Sequence, residues 1–112
     1  MATTIQNIDV LKNYLSGVLD RANHHAQGVN EIALAVAGGI IWRTTSDIRV
    51  LSRDGEMKNV LWMEVGNRRL CFAYNHQTGY IEVREGSVQG AVMEQFNNAT
   101  PVTTVKIFFE GL

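Results

Sequence analysis

Between Val60 and Arg84 the chain holds a succession of β-forming runs punctuated by glycines at hairpin positions, a pattern that few folds accommodate. Val60 to Val65 and Leu70 to Tyr74 are rich in branched and aromatic residues, and Gly66-Asn67 between them is a glycine-first pair suited to a type II′ turn. The segment Asn75-His76-Gln77-Thr78-Gly79 makes the next connection, with glycine where a positive φ is usually needed, and Tyr80 to Arg84 returns with Ile81 and Val83 on one face. Strands joined this tightly pair antiparallel, because a parallel pair needs a crossover of about a dozen residues or more. A sheet of this kind has an apolar face that something else in the chain must cover.

The flanks supply that cover. Asn7 reads as an N-cap, and Ile8, Leu11, Leu15, Val18, Leu19 and Ala22 recur at helical spacing behind it. Asp9 in the first turn and His24-His25 near the far end suit the helix dipole, and Gln27-Gly28 reads as the stop, although the stripe alone continues towards Val36. Glu31 to Ala37 is apolar on nearly every side, and its alanines favour a short buried helix over a strand. Gly38-Gly39 is expected to end it, with Ile40-Ile41-Trp42 opening a strand that reaches Thr44. Turns at Ser46-Asp47 and Asp54-Gly55 bracket the alternating Ile48 to Leu51, and Ala91 to Phe96 reads as a strand, with a short helix around Met93 as the alternative. Thr100 as cap and Pro101 at the first helical position introduce a stripe of Val102, Val105, Phe108, Phe109 and Leu112. The expected fold is α+β: a meander-like antiparallel sheet of about five or six strands, with N-terminal and C-terminal helices on one face.

Composition narrows what such a domain does. With 112 residues, 46% of them hydrophobic and 19% charged, one core and one domain spanning 1–112 are expected. A formal charge of −1 gives no summed attraction to nucleic acid or anionic membrane. A single cysteine, Cys71, excludes an internal disulfide and fits a reducing compartment. Met1 to Asn7 shows no signal-peptide pattern, and the near-apolar run Ile32 to Trp42 is too short to cross a membrane, so the expected location is cytoplasmic.

Several stretches carry a resemblance: His24-His25-Ala26, Val29-Asn30-Glu31-Ile32, Gly39-Ile40-Ile41-Trp42, Lys58-Asn59-Val60-Leu61-Trp62, Tyr74-Asn75-His76 and Arg84-Glu85-Gly86-Ser87. Together they resemble a family of small uncharacterised bacterial proteins, some of them carried as integron gene cassettes. The resemblance covers nearly the whole chain. It implies a bacterial, cytoplasmic, accessory protein and brings no catalytic residues with it.

Three constellations could carry chemistry. His24, His25, Asn30 and Glu31 gather two imidazoles and a carboxylate near the junction of the first two helical segments, but adjacent histidines point about 100° apart, unlike the i, i+4 pair of a helical zinc site. The bland alternative is one histidine at the edge of the core and one in solvent. Tyr74, Asn75, His76, Glu82 and Arg84, with Glu85 beside them, could converge on a ligand across a hairpin; equally, Asn75 and His76 are ordinary turn residues and Glu82 and Arg84 suit a solvent-facing strand. Trp62, Phe72, Tyr74 and Tyr80 with Lys58, Arg68, Arg69 and Arg84 could bind nucleic acid, yet Phe72 and Tyr74 share a face with Leu70 that should meet the helices. Cys71, between Leu70 and Phe72, reads as a structural cysteine. No glycine-rich phosphate loop, paired-cysteine metal motif or serine nucleophile elbow occurs, and no cofactor or metal is expected.

The expectation is a noncatalytic binding or interaction protein with a small-molecule or protein partner, or a homodimer hiding Trp42, Trp62 or Met93. The alternatives are a small enzyme, such as a hydrolase using His24 or His25 with Glu31 or His76 with Glu82, and a nucleic-acid-binding sheet.

Overall fold

The computed structural model describes residues 2–5, 8–25, 27–53 and 56–112, with side chains over 9–20, 28–51 and 60–112. The expected cap Asn7 and the expected turn Asp54-Gly55 lie outside the described residues. The chain runs β1 (Ala2–Ile5), α1 (Ile8–His25), a single 3-10 turn (Gln27–Val29), α2 (Ile32–Arg43), β2 (Ile48–Arg53), β3 (Glu56–Val65), β4 (Arg68–Asn75), β5 (Tyr80–Glu85), β6 (Val92–Phe96) and α3 (Val102–Glu110). All six strands form one antiparallel sheet in the order of the sequence. The α+β architecture, with helices ahead of β2 and after β6, is therefore as expected.

Period-two alternation gives the sheet two different faces. Val50, Leu61, Phe72 and Val83 stand opposite one another across four strands, and Met63 faces Leu70 beside them. These side chains are buried in one cluster with Tyr14 of α1, Val36 and Ile40 of α2, and Val105 and Phe109 of α3. On the reverse face, Arg49, Trp62, Cys71 and Arg84 form the matching row, and Ala73, Glu82 and Gln95 form another. The turns follow their glycines: Gly66 and Gly79 have φ of 63° and 77°, values that side-chain-bearing residues adopt only at a cost.

Three expectations need correction. The strand expected from Ile40 to Thr44 does not exist, because α2 continues through Gly38-Gly39 to Arg43 and stops only at the extended Thr44. Ile32, Val36 and Ile40 keep one buried face through the glycines, and burial of that face outweighs the weak helix propensity of glycine. Gly39 has a packing role: a Cβ there would lie 2.2 Å from Cδ2 of Phe109, so only glycine lets α3 approach so closely. Phe109 in turn stacks on Phe72 at 5.9 Å, tying α2 and α3 to the sheet. Second, the stripe of α3 is narrower than expected, since Val102 is exposed while Val105 and Phe109 are buried; Thr100 caps nothing, its hydroxyl accepting instead from Asn97 N–H. Third, β1 adds a strand that the polar opening segment did not announce.

The start of α2 is secured from far along the chain. Its N-cap position, Glu31, makes no side-chain cap. Instead, Oδ1 of Asn98, in the loop after β6, accepts hydrogen bonds from Glu31 N–H (3.0 Å) and Ile32 N–H (2.9 Å). Asn98 N–H donates to the Gly28 carbonyl at 2.7 Å, and its Nδ2 donates to Asn30 Oδ1 at 2.7 Å.

Candidate functional site

Between α1, α2 and the sheet, the apolar layers do not close completely. A cavity of about 90 Å³, partly open to solvent, is walled by Tyr14, Val18, Val29, Ala33, Phe72 and Tyr74, among others. Its origin is local: Ala33 and Ala37 put only methyl groups into the lining, and α1 meets α2 sparsely, so among the described residues no large side chain of α2 fills the space. A smaller apolar cavity of about 30 Å³ lies beyond, sharing Tyr14, Leu15, Ala37, Ile40 and Leu61 with the first. Among the described residues the linings are almost wholly apolar, and Tyr14 and Tyr74 are the hydroxyl-bearing residues in them. A sealed apolar cavity of roughly 150 Å³ stays dry and binds benzene.

The reverse face holds a polar arrangement of a different kind. Glu82, expected to face solvent, is only 6% exposed. Arg84, two residues along the same strand, donates to Glu82 Oε1 from Nε (3.2 Å) and Nη2 (2.7 Å), while Asn75 Nδ2 donates to Oε2 (3.1 Å). The ion pair thus runs along β5 rather than across strands. Arg84 Nη1 also donates to the Gly90 carbonyl (2.8 Å), which ties down the loop between β5 and β6. Gly90 is confined there: a Cβ would lie 1.9 Å from the Glu85 carbonyl oxygen. Every oxygen of the Glu82 carboxylate already accepts a charged or amide donor, so the arrangement suits structure better than proton transfer.

Cys71 lies beside this network and is fully buried. Burial pushes its thiol up to about 11 from 9.0, against smaller opposing pulls from the guanidinium groups of Arg69 and Arg84. A thiol held neutral in this way is a poor nucleophile.

The structure divides the sequence candidates between the two faces. Tyr74 faces the helices and walls the cavity, and the His76 ring meets it edge-on at 4.8 Å and 89°. Asn75 turns the other way; besides holding Glu82, its Oδ1 accepts from Gln77 N–H (2.8 Å) and Thr78 N–H (3.3 Å), organising the turn. Glu85 is exposed and pairs with Arg68 at 3.3 Å. His24 and His25 end α1, but their side chains lie outside the described residues, as does that of Lys58. Asn30 and Glu31 join the Asn98 network at the start of α2. Phe72 and Tyr74 meet the helices as expected, which leaves Trp62, with Arg69 over its ring at 5.7 Å, and Tyr80 on the reverse face. Among the described residues, no three His, Cys, Asp or Glu side chains gather as a metal site, and no helix is long and apolar enough to cross a membrane. Sequence reasoning missed the cavity. Its available signal was the pair of alanines at 33 and 37 on α2, with Tyr14 of α1, which is buried although the expected stripe left it out.

Fold and site together define an α+β protein in which an antiparallel sheet and its helical layer enclose an apolar cavity. The chain belongs to an integron cassette protein family: the family model described as integron cassette protein VCH_CASS1 chain matches residues 11–106, from α1 into α3, and so spans both walls of the cavity. The resemblance read from the sequence points to the same kind of protein. No curated protein matches the chain.

Proposed function

We propose that this integron cassette protein is a noncatalytic binding module whose ligand is a small, mainly apolar molecule held between α1, α2 and the sheet. The observation that carries the reading is the partly open apolar cavity of about 90 Å³, bordered by Tyr14 and Tyr74. Its size suits a short aliphatic or aromatic group, or the apolar end of a larger molecule whose remainder extends through the opening. Burial of such a group supplies roughly 25 cal/mol for each Å² removed from water. The reverse-face carboxylate has its donors already and lies across the sheet from the cavity, which favours binding over hydrolysis.

Thermal unfolding of the whole chain titrated with benzene and with n-hexanol tests this reading. Binding to the folded state raises the melting temperature with ligand concentration, and a concentration about 100 times Kd stabilises by roughly 2.7 kcal/mol. Ala33→Leu should fill the cavity, raise the ligand-free melting temperature and abolish the ligand-dependent rise. An absent rise with both probes, or an equal rise in Ala33→Leu, contradicts the proposal.

A further inference from the structure

The larger and smaller cavities lie end to end across the sheet. Ala33 of α2 lines only the larger and Ile41, two turns further on, only the smaller, a separation of about 12 Å along a helix axis. On α1 the order is reversed, with Val18 at the larger cavity and Leu11 at the smaller. The sheet gives a similar span independently. Ile81 of β5 borders only the larger cavity and Ile48 of β2 only the smaller, and three strand spacings between them amount to about 14 Å. At the join α2 contributes Ala37 and Ile40, which border both spaces. The smaller cavity, about 30 Å³ against about 90 Å³, is a narrow extension of the larger, and polar atoms reach the lining of the larger one alone.

We infer that the ligand is a straight-chain aliphatic compound of medium length, with its methyl end in the smaller cavity and its polar end at the larger; this rests on the binding role proposed above and adds the shape and class of the guest. Carbon–carbon bonds of about 1.5 Å, set in a zigzag, bring a chain of about eight carbons to the span of the two cavities. A compact ring of the same carbon count occupies the larger cavity and leaves the narrow extension empty. An unbranched chain enters both, and each methylene taken from water adds its own share of the driving force. The polar end belongs at the larger cavity because a hydroxyl or carboxylate in the smaller one would be buried without a partner on its walls.

Isothermal titration calorimetry of the full chain with 1-butanol, 1-hexanol, 1-octanol and 1-decanol tests this. Affinity should rise about fourfold for each added methylene, so about 16-fold from hexanol to octanol, and level off from octanol to decanol. Cyclooctanol, with the same carbons in a ring, should bind no more tightly than hexanol. Leu11→Phe fills the smaller cavity without touching the lining of the larger, so it should leave hexanol affinity unchanged and remove the gain on going to octanol. The wild-type series and cyclooctanol decide the matter even where that variant does not fold. Hexanol binding with no gain for octanol, cyclooctanol binding as tightly as octanol, or an octanol gain kept in Leu11→Phe overturns the inference and leaves the apolar binding role standing. No binding of any alcohol overturns both.

Discussion

Glu82 shows how far a single residue can depart from what its neighbours suggest. Alternation of Ile81, Glu82, Val83 and Arg84 reads as one apolar and one wet face, and the apolar side is as read. What the alternation cannot convey is that Arg84 and Asn75 fold over the carboxylate and remove it from water. Loss of the guanidinium leaves a buried charge with one amide donor, so Arg84→Met should destabilise the fold by about 3 kcal/mol in urea unfolding at neutral pH. The double variant Glu82→Gln/Arg84→Met should recover a large part of that loss. Cys71 supplies a second residue-scale test, in which the sign follows from proton binding. Its thiol ionises near 9.0 in the unfolded chain and near 11 in the fold, so the folded state holds the extra proton between those values. The contribution is complete below pH 9 and is lost as pH rises through 11, amounting to up to about 2 to 3 kcal/mol. Stability measured across that range should fall more steeply in the wild type than in Cys71→Ala. Burial of Cys71 was legible from its apolar neighbours Leu70 and Phe72, and Arg69 from its place two residues away on the same face, whereas Arg84 comes beside it only through the pairing of β4 with β5.

The elements read best where their residues answer to near neighbours. The hairpin at Gly66-Asn67, the turn closed by Gly79 and the strands they join depend on local turn chemistry and alternation, and the structure has them where the sequence places them. Elements shaped by distant partners read worse. Gly38-Gly39 looks like punctuation, but the Phe109 ring, far along the chain, is what requires Gly39, and the helix passes through. Gly39→Ala should therefore destabilise by about 2 kcal/mol in thermal or urea unfolding, although alanine favours helix intrinsically, because the buried Phe109 is held against Phe72 and Phe108 and has little room to yield. A stabilised Gly39→Ala would show that the α2–α3 contact is looser than its geometry indicates. The start of α2 is likewise hidden, since the group that caps it is the side chain of Asn98. β1 pairs with Ile48 to Leu51 through its backbone, and four residues offer too little alternation to announce a strand.

At the scale of the whole molecule, sheet and helices could be inferred from periodicity, but the space between them could not. A cavity depends on which side chains fail to meet, and Ala33 and Ala37 read equally well as ordinary residues of a buried helix. The polar residues that the sequence singles out lie mostly elsewhere: among the described ones, only Tyr74 walls the cavity. A binding role requires that space to be accessible and able to hold an apolar guest. Diffraction from crystals pressurised with xenon tests it most directly, since xenon enters apolar cavities without needing a polar partner. The account predicts a xenon peak between α2 and the sheet, bounded by Tyr14, Ala33 and Phe72, and no such peak in Ala33→Leu. A cavity that takes up no xenon, or one occupied by ordered water hydrogen-bonded to its walls, would contradict it.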